Sequence, residues 1–135
     1  MNVLVGTSVW SLALRRSGDM DHPEAAELRA LIADLAVRII GPIRQEILSG
    51  IKSGAQFDQL RETLRAFPDL PLNSQDYERA AEFFNTCRRQ GVQGSNTDFL
   101  ICAIAERNDL AIFTTDRDFE NFRQYLPISL HDMSA

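Results

Sequence analysis

Residues 2–10 read NVLVGTSVW: a β-rich run from Asn2 to Val5 breaks at Gly6-Thr7-Ser8, and Thr7 or Ser8 can cap a helix that runs on through Trp10, Leu12 and Leu14. A strand turning directly into a helix is the opening of an α/β chain, and the alternation continues downstream. Pro23 stands where a first helical residue would, with Ala25, Leu28, Ile32 and Leu35 at helical spacing behind it. Val37 to Ile40 reads as a strand closed by Gly41-Pro42, and Ile43 to Leu48 as a helix. Phe57, Leu60, Leu64 and Phe67 predict another helix, ended by Pro68, with a short edge strand over Leu70 to Leu72. The next helix, Gln75 to Arg89, is expected to turn Tyr77, Ala81 and Phe84 inward and to stop at Gly91. Ser95 or Asn96 caps a helix reaching Asn108, Leu110 to Thr114 is a strand, Asp116 to Tyr125 a loop and short helix, and Ile128 to Leu130 a last strand. Strands separated by helices rather than by hairpin turns imply a parallel sheet covered on both faces, with function at the carboxyl ends of its strands.

Composition narrows the class. The chain has 135 residues, 44% of them hydrophobic and 24% charged, which excludes a disordered tail or a fibre and suits one domain over residues 1–135. No apolar stretch approaches the ~20 residues of a membrane helix, and no basic region followed by an apolar run opens the chain. Cys87 and Cys102 form no CxxC pair, so a zinc knuckle or disulfide framework is unsupported and two buried thiols in a reducing cytoplasm are expected. The net charge of −5 repels nucleic acid as a whole, so any such contact must be local. Thirteen of the fourteen basic residues are Arg, which suits bidentate phosphate contacts, but a GC-rich genome is the preferred reading.

Three acids stand where the pattern calls for apolar or strand-end residues. Glu46 falls on the stripe Ile43, Glu46, Ile47, Gly50, which predicts a carboxylate on the buried side of its helix. Asp98 leads the stripe Ile101, Cys102, Ala105, in a first helical turn where the dipole favours an anion. Asp116 follows Leu110 to Thr115 at the carboxyl end of a buried strand. Singly, these read as a stripe-edge residue reaching solvent, a helix N-terminal charge and an N-cap. If they converge, each pair ~5 Å apart costs about 3 kcal/mol at an effective dielectric near 20, and a hard divalent cation is the natural counter-charge. Such a cation can polarise a phosphoryl oxygen or generate hydroxide, and phosphodiester hydrolysis follows.

Four stretches, VLVGTSVW (3–10), PIRQEILSG (42–50), TDFLICAIA (97–105) and FTTDRDF (113–119), together resemble the PIN-domain ribonucleases, and within them the VapC-type toxins of bacterial type II toxin–antitoxin systems. The resemblance covers nearly the whole chain. It implies a three-layer α/β/α sandwich around a mainly parallel sheet, and Mg²⁺- or Mn²⁺-dependent endoribonuclease activity. Glu46, Asp98 and Asp116 carry over as catalytic metal ligands, Asp118 as a further ligand, and Thr7, Ser8, Thr114 and Thr115 as supporting residues. It also implies a homodimer and a VapB-type antitoxin whose C-terminal segment covers the site, often inserting an Arg among the carboxylates.

The departure from the family is Gly6, where its first catalytic aspartate belongs, while Val3, Leu4, Val5, Thr7, Ser8, Val9 and Trp10 keep the pattern. Glycine supplies no donor atom, so the cation is expected to bind weakly or not at all and the nuclease to be inactivated or impaired. Gly6 is then an introduced or natural inactivating substitution, or a turn glycine at positive φ. The competing reading is a non-catalytic PIN-fold module that dimerises and holds an antitoxin. Arg15, Arg16, Arg88, Arg89, Arg117 and Arg123 are rim candidates for steering phosphates. His22 and His131 read as ordinary surface residues, Asp19 and Asp21 as caps for the helix at Pro23, and Trp10 as core or dimer packing.

Overall fold

The computed structural model describes residues 1–14 and 22–133. Four parallel strands, β1 (Val3–Val5), β2 (Val37–Arg38), β3 (Ala111–Phe113) and β4 (Ser129–Leu130), form one sheet in the order β2-β1-β3-β4. The expected edge strand over Leu70 to Leu72 is reduced to a single parallel bridge between Ile39 and Asp69, closed by the Leu70 N–H on the Ile39 carbonyl at 2.9 Å. Every residue of β1 and β3 is buried, so both faces of the sheet are covered, and the chain is an α/β sandwich as expected.

Seven helices are present among the described residues: α1 (Thr7–Leu14), α2 (Pro23–Ala33), α3 (Gly41–Leu48), α4 (Gly54–Leu64), α5 (Ser74–Arg89), α6 (Asn96–Arg107) and α7 (Asp118–Arg123). Their starts are encoded locally. α2 and α3 each have Pro in the first two helical positions, and α5 and α6 open with capping boxes, Asn73 with Asp76 and Ser95 with Asp98. Phe99 through Ala105 of α6 are all buried, as befits a helix wedged between the sheet and α5.

Several sequence expectations are corrected. Leu35 does not continue α2; the helix stops at Ala33, and Leu35 takes φ +58° and is 82% exposed. The α4 helix ends at Leu64 rather than reaching Phe67, and Arg44 of α3 donates to the Leu64 and Phe67 carbonyls at its end. The buried stripe of α5 is Asp76, Ala80, Phe83 and Cys87, one residue out of step with the predicted Tyr77, Ala81 and Phe84; Tyr77 is 55% exposed. Asp76 makes the difference, because it is buried against Arg107, whose Nε and Nη2 donate to it at 2.6 and 2.9 Å. Trp10 is fully buried, edge-on to Phe67 with ring centroids 5.1 Å apart, and both cysteines are buried thiols. His131 is no ordinary surface residue: its Nε2 lies 2.6 Å from Oε2 of Glu27, and its ring packs on Phe113. Arg15, Arg16, Asp19 and Asp21 lie outside the described residues; the N-cap position of α2 is His22, whose side chain makes no capping bond.

Candidate functional site

β1 and β3 are neighbours whose connections leave toward opposite edges of the sheet, and the crevice beyond their carboxyl ends is where ligands bind in such folds. A cavity of about 700 Å³ opens there, lined by Gly6, Thr7, Ser8, Gln45, Glu46, Ser49, Asp98, Ile101, Ile112, Thr114, Asp116 and Phe119. The Val5–Phe113 register sets Gly6 beside Thr114, and the Gly6 N–H donates to the Phe113 carbonyl at 2.8 Å.

Each acid arrives by its own route. Glu46 sits on α3 one position before buried Ile47, but its carboxylate is exposed on the cavity wall rather than buried, and Thr7 Oγ1 donates to its Oε1 at 2.7 Å. The predicted stripe was right at Ile43 and Ile47 and wrong at Glu46 and Gly50; Gly50 lies past the helix end at φ +83°. Asp98 is half-buried at the start of α6, with Oδ2 accepting the Ser95 N–H at 3.0 Å while Ser95 Oγ accepts the Asp98 N–H at 3.1 Å. Asp116 is exposed on the turn after β3. Its N–H is held by Thr114 Oγ1 at 3.0 Å, and its Oδ1 accepts the Asp118 N–H at 2.9 Å. Ser8 Oγ accepts the Thr115 N–H at 3.2 Å and lies 3.4 Å from Thr114 Oγ1, tying the α1 start to the β3 turn.

Of the sequence candidates, Gly6, Thr7, Ser8, Glu46, Asp98, Thr114 and Asp116 meet at the cavity; Thr115 and Asp118 do not line it and act on it through backbone amides. Gln45, Ser49 and Phe119 also line it and carry no signal of their own in the sequence pattern, although Ser49 lies three residues after Glu46 and four after Gln45, at helical spacing. Among the described residues no Lys, Arg or His is in the lining, and Arg123 pairs with Glu120.

Burial pushes the Asp98 carboxyl above its usual range, the Ser95 hydrogen bonds pull it back, and the charges of Asp116 and Glu46 push it up again. Asp98 therefore feels the charges of Asp116 and Glu46, and no basic side chain among the described residues lines the cavity to offset them. Their oxygen chemistry suits Mg²⁺ or Mn²⁺, but among the described residues no three His, Cys, Asp or Glu side chains are grouped closely enough to hold a metal ion. As it stands, the donor set does not fit the cation. Gly6 has a φ outside the left-handed region, which rules out the turn-glycine reading, and a Cβ built on it would meet Phe113 O at 3.4 Å and Thr114 Cβ at 3.5 Å, ordinary contacts.

The sequence pattern of the PIN domain matches residues 3–124. The chain belongs to the PIN domain family. PIN domains are generally nucleases. No curated protein matches the chain significantly. Among solved structures, FitAcB from Neisseria gonorrhoeae aligns with TM-score 0.76 at 20% identity over 96% of each chain. VapBC2 from Rickettsia felis, bound to a DNA fragment from their promoter, aligns with TM-score 0.75 at 17% identity over 97% of this chain and 98% of that one. VapBC-1 from nontypeable Haemophilus influenzae aligns with TM-score 0.72 at 15% identity over all of both chains. At these identities the likeness establishes the PIN fold. No helix among the described residues is long and apolar enough to cross a membrane.

Proposed function

We propose that this PIN domain is the toxin of a type II toxin–antitoxin pair, built as a metal-dependent endoribonuclease whose cleavage is weakened or lost because residue 6 has no carboxylate. The observation that carries this reading is the convergence of Glu46, Asp98 and Asp116 on one cavity that Gly6 also lines. A divalent cation, where bound, would polarise a phosphoryl oxygen and lower the pKa of water. Without it, the three carboxylates repel the phosphodiester they would have to approach, so no cleavage step is assigned to the Gly6 cavity as it stands.

The partner in this reading is a small antitoxin, supported by the fold shared with chains of the FitAcB and VapBC complexes. An acidic cavity lined by no basic side chain among the described residues suits a basic segment of such a partner. With a net charge of −5 this chain is a poor DNA binder, so any promoter contact in a comparable complex falls to the antitoxin. A homodimer and a cytoplasmic location complete the proposal. The second reading, a PIN-fold module that binds its antitoxin and cuts nothing, is favoured by Gly6 itself.

The test compares structured RNAs incubated with the chain as written and with Gly6→Asp, in Mg²⁺, in Mn²⁺ and in EDTA. Metal-dependent cleavage by Gly6→Asp and little or none by the parent is expected. Cleavage by neither would leave the binding module as the better account.

A further inference from the structure

Trp10 is fully buried, and its indole Nε1 has no hydrogen-bond partner among the described residues. Buried polar groups are almost always paired, so an orphaned N–H costs stability and calls for an acceptor. The ring it meets edge-on is Phe67, and an aromatic face is at best a weak acceptor. Phe67 is only half-buried, and it also lines a second cavity of about 540 Å³. That cavity opens at the amino end of β2 and shares no lining residue with the acidic one. Its walls are mainly apolar, with Ile32, Leu35, Val37, Phe67 and Leu70. The two charged side chains in it are of opposite sign and already engaged, Arg38 on the Leu35 and Val37 carbonyls at 3.1 and 2.9 Å and Asp69 on Arg44 at 3.1 Å. Leu35 is 82% exposed at φ +58°, a backbone that favours glycine or asparagine, so an apolar side chain is held on the rim at a cost. A largely apolar, charge-balanced cavity of this size beside an unused donor has the composition of a small-molecule site.

We propose that this cavity is the mouth of a binding site for a neutral, apolar molecule bearing one carbonyl oxygen, which packs against Ile32, Leu35 and Leu70 and displaces the Phe67 ring so that its oxygen accepts the Trp10 indole N–H. Phe67 is the gate, because it touches both the indole and the cavity. Its backbone is held, the N–H on the Leu64 carbonyl at 3.0 Å and the carbonyl on Arg44, so the gate is a side-chain rotation rather than a loop movement. No residue of the acidic cavity takes part, so the site stands whether or not this chain is a toxin.

Trp10 is the only tryptophan, so a ¹H–¹⁵N correlation spectrum of the labelled chain shows a single indole cross-peak. The chain is titrated with cyclohexanone and with methylenecyclohexane, the same ring with a methylene group in place of the oxygen. Cyclohexanone is expected to move the indole proton downfield in a saturable way, together with the Leu35, Val37 and Leu70 amides, and to bind about tenfold more tightly than methylenecyclohexane. Phe67→Leu should tighten cyclohexanone binding and keep the indole shift, since movement of the Phe67 ring then no longer contributes to it. Leu35→Asn relaxes the backbone and removes the apolar rim, so it should weaken binding several-fold while the melting temperature holds or rises. If the amides shift but the indole proton does not, if its shift is lost in Phe67→Leu, or if the two probes bind equally, Trp10 is no part of the site and the proposal fails. If neither probe moves the Leu35, Val37 or Leu70 amides, the cavity binds no such molecule and the proposal fails outright.

Discussion

Gly6 faces Thr114 across the ends of β1 and β3 so that a Cβ added to the glycine would lie 3.5 Å from the threonine Cβ, at ordinary contact distance and with no left-handed backbone to strain. The position therefore accepts a side chain. Gly6→Ala is expected to stabilise the fold by about 0.5 kcal/mol, because alanine narrows the unfolded ensemble without a clash in the folded one. Denaturant unfolding measures this; a loss of more than about 1 kcal/mol would mean that the space is closed.

Gly6→Asp should behave oppositely in the absence of metal. A new carboxylate beside Asp98 and Asp116 adds repulsion of about 1–3 kcal/mol relative to Gly6→Ala at low salt. Millimolar Mg²⁺ or Mn²⁺ should restore the melting temperature of Gly6→Asp, since binding to the native state alone stabilises it, and should leave the parent nearly unmoved. Equal metal responses from the two proteins would count against residue 6 as the missing ligand.

What could be read in the sequence was whatever depends on neighbours along the chain. The β1–α1 turn, the Ser95 cap, the burial of β3 and the placing of Asp98 and Asp116 at strand and helix ends all follow from local periodicity and capping. The errors came from partners far away. The α5 stripe was shifted because Asp76 looks like a solvent-facing acid until Arg107, 31 residues on, is seen to neutralise it. The Ser8–Thr114 contact spans 106 residues and leaves no local trace. Leu35 matched a helical spacing although α2 had already ended, and only its positive φ reveals why it points to solvent.

The Asp76–Arg107 pair makes an acid-stability prediction. Burial raises the Asp76 carboxyl, but the Arg107 hydrogen bonds and the Asn73 backbone bond outweigh it and hold it below the usual range. A depressed folded value means stability that is fully present above the unfolded value of 3.8 and is lost as pH falls through the folded value. Arg107→Ala leaves a buried charge unpaired and should cost about 3 kcal/mol near neutral pH. That deficit should shrink below about pH 4, where Asp76 takes up a proton in the variant. A deficit independent of pH would assign the effect to lost packing instead.

Asp98 carries the opposite sign. Its carboxyl is raised by burial first and by Asp116 and Glu46 after it, so the folded state holds the proton longer than the unfolded one. Stability then falls as pH rises from the ordinary value of 3.8 through the raised one, and the loss is complete above it. Asp98→Asn keeps an oxygen for the Ser95 N–H and removes the charge, so at neutral pH it should stabilise by roughly 0.5–2 kcal/mol, as relief of a functional site does. A less stable Asn variant would show that the N-terminal charge on α6 outweighs the repulsion.

Gly94 tests whether the aromatic cluster behind the cavity shapes its wall. A Cβ there would lie 2.5 Å from Phe122 Cζ and 3.1 Å from Phe99 Cε2, so the rings must shift to admit it. Phe122 also packs edge-on to Phe119 with centroids 5.1 Å apart, and Phe119 lines the cavity. Gly94→Ala is therefore expected to cost about 1–3 kcal/mol by overpacking. In the Gly6→Asp background it should also weaken Mn²⁺ binding through displaced Phe119. Phe122→Leu, which shortens the obstructing ring, should recover part of the stability when combined with Gly94→Ala, so that the double variant is more stable than the sum of the two single losses allows. Strict additivity in that cycle would mean that the Gly94 backbone, rather than the Phe122 ring, gives way.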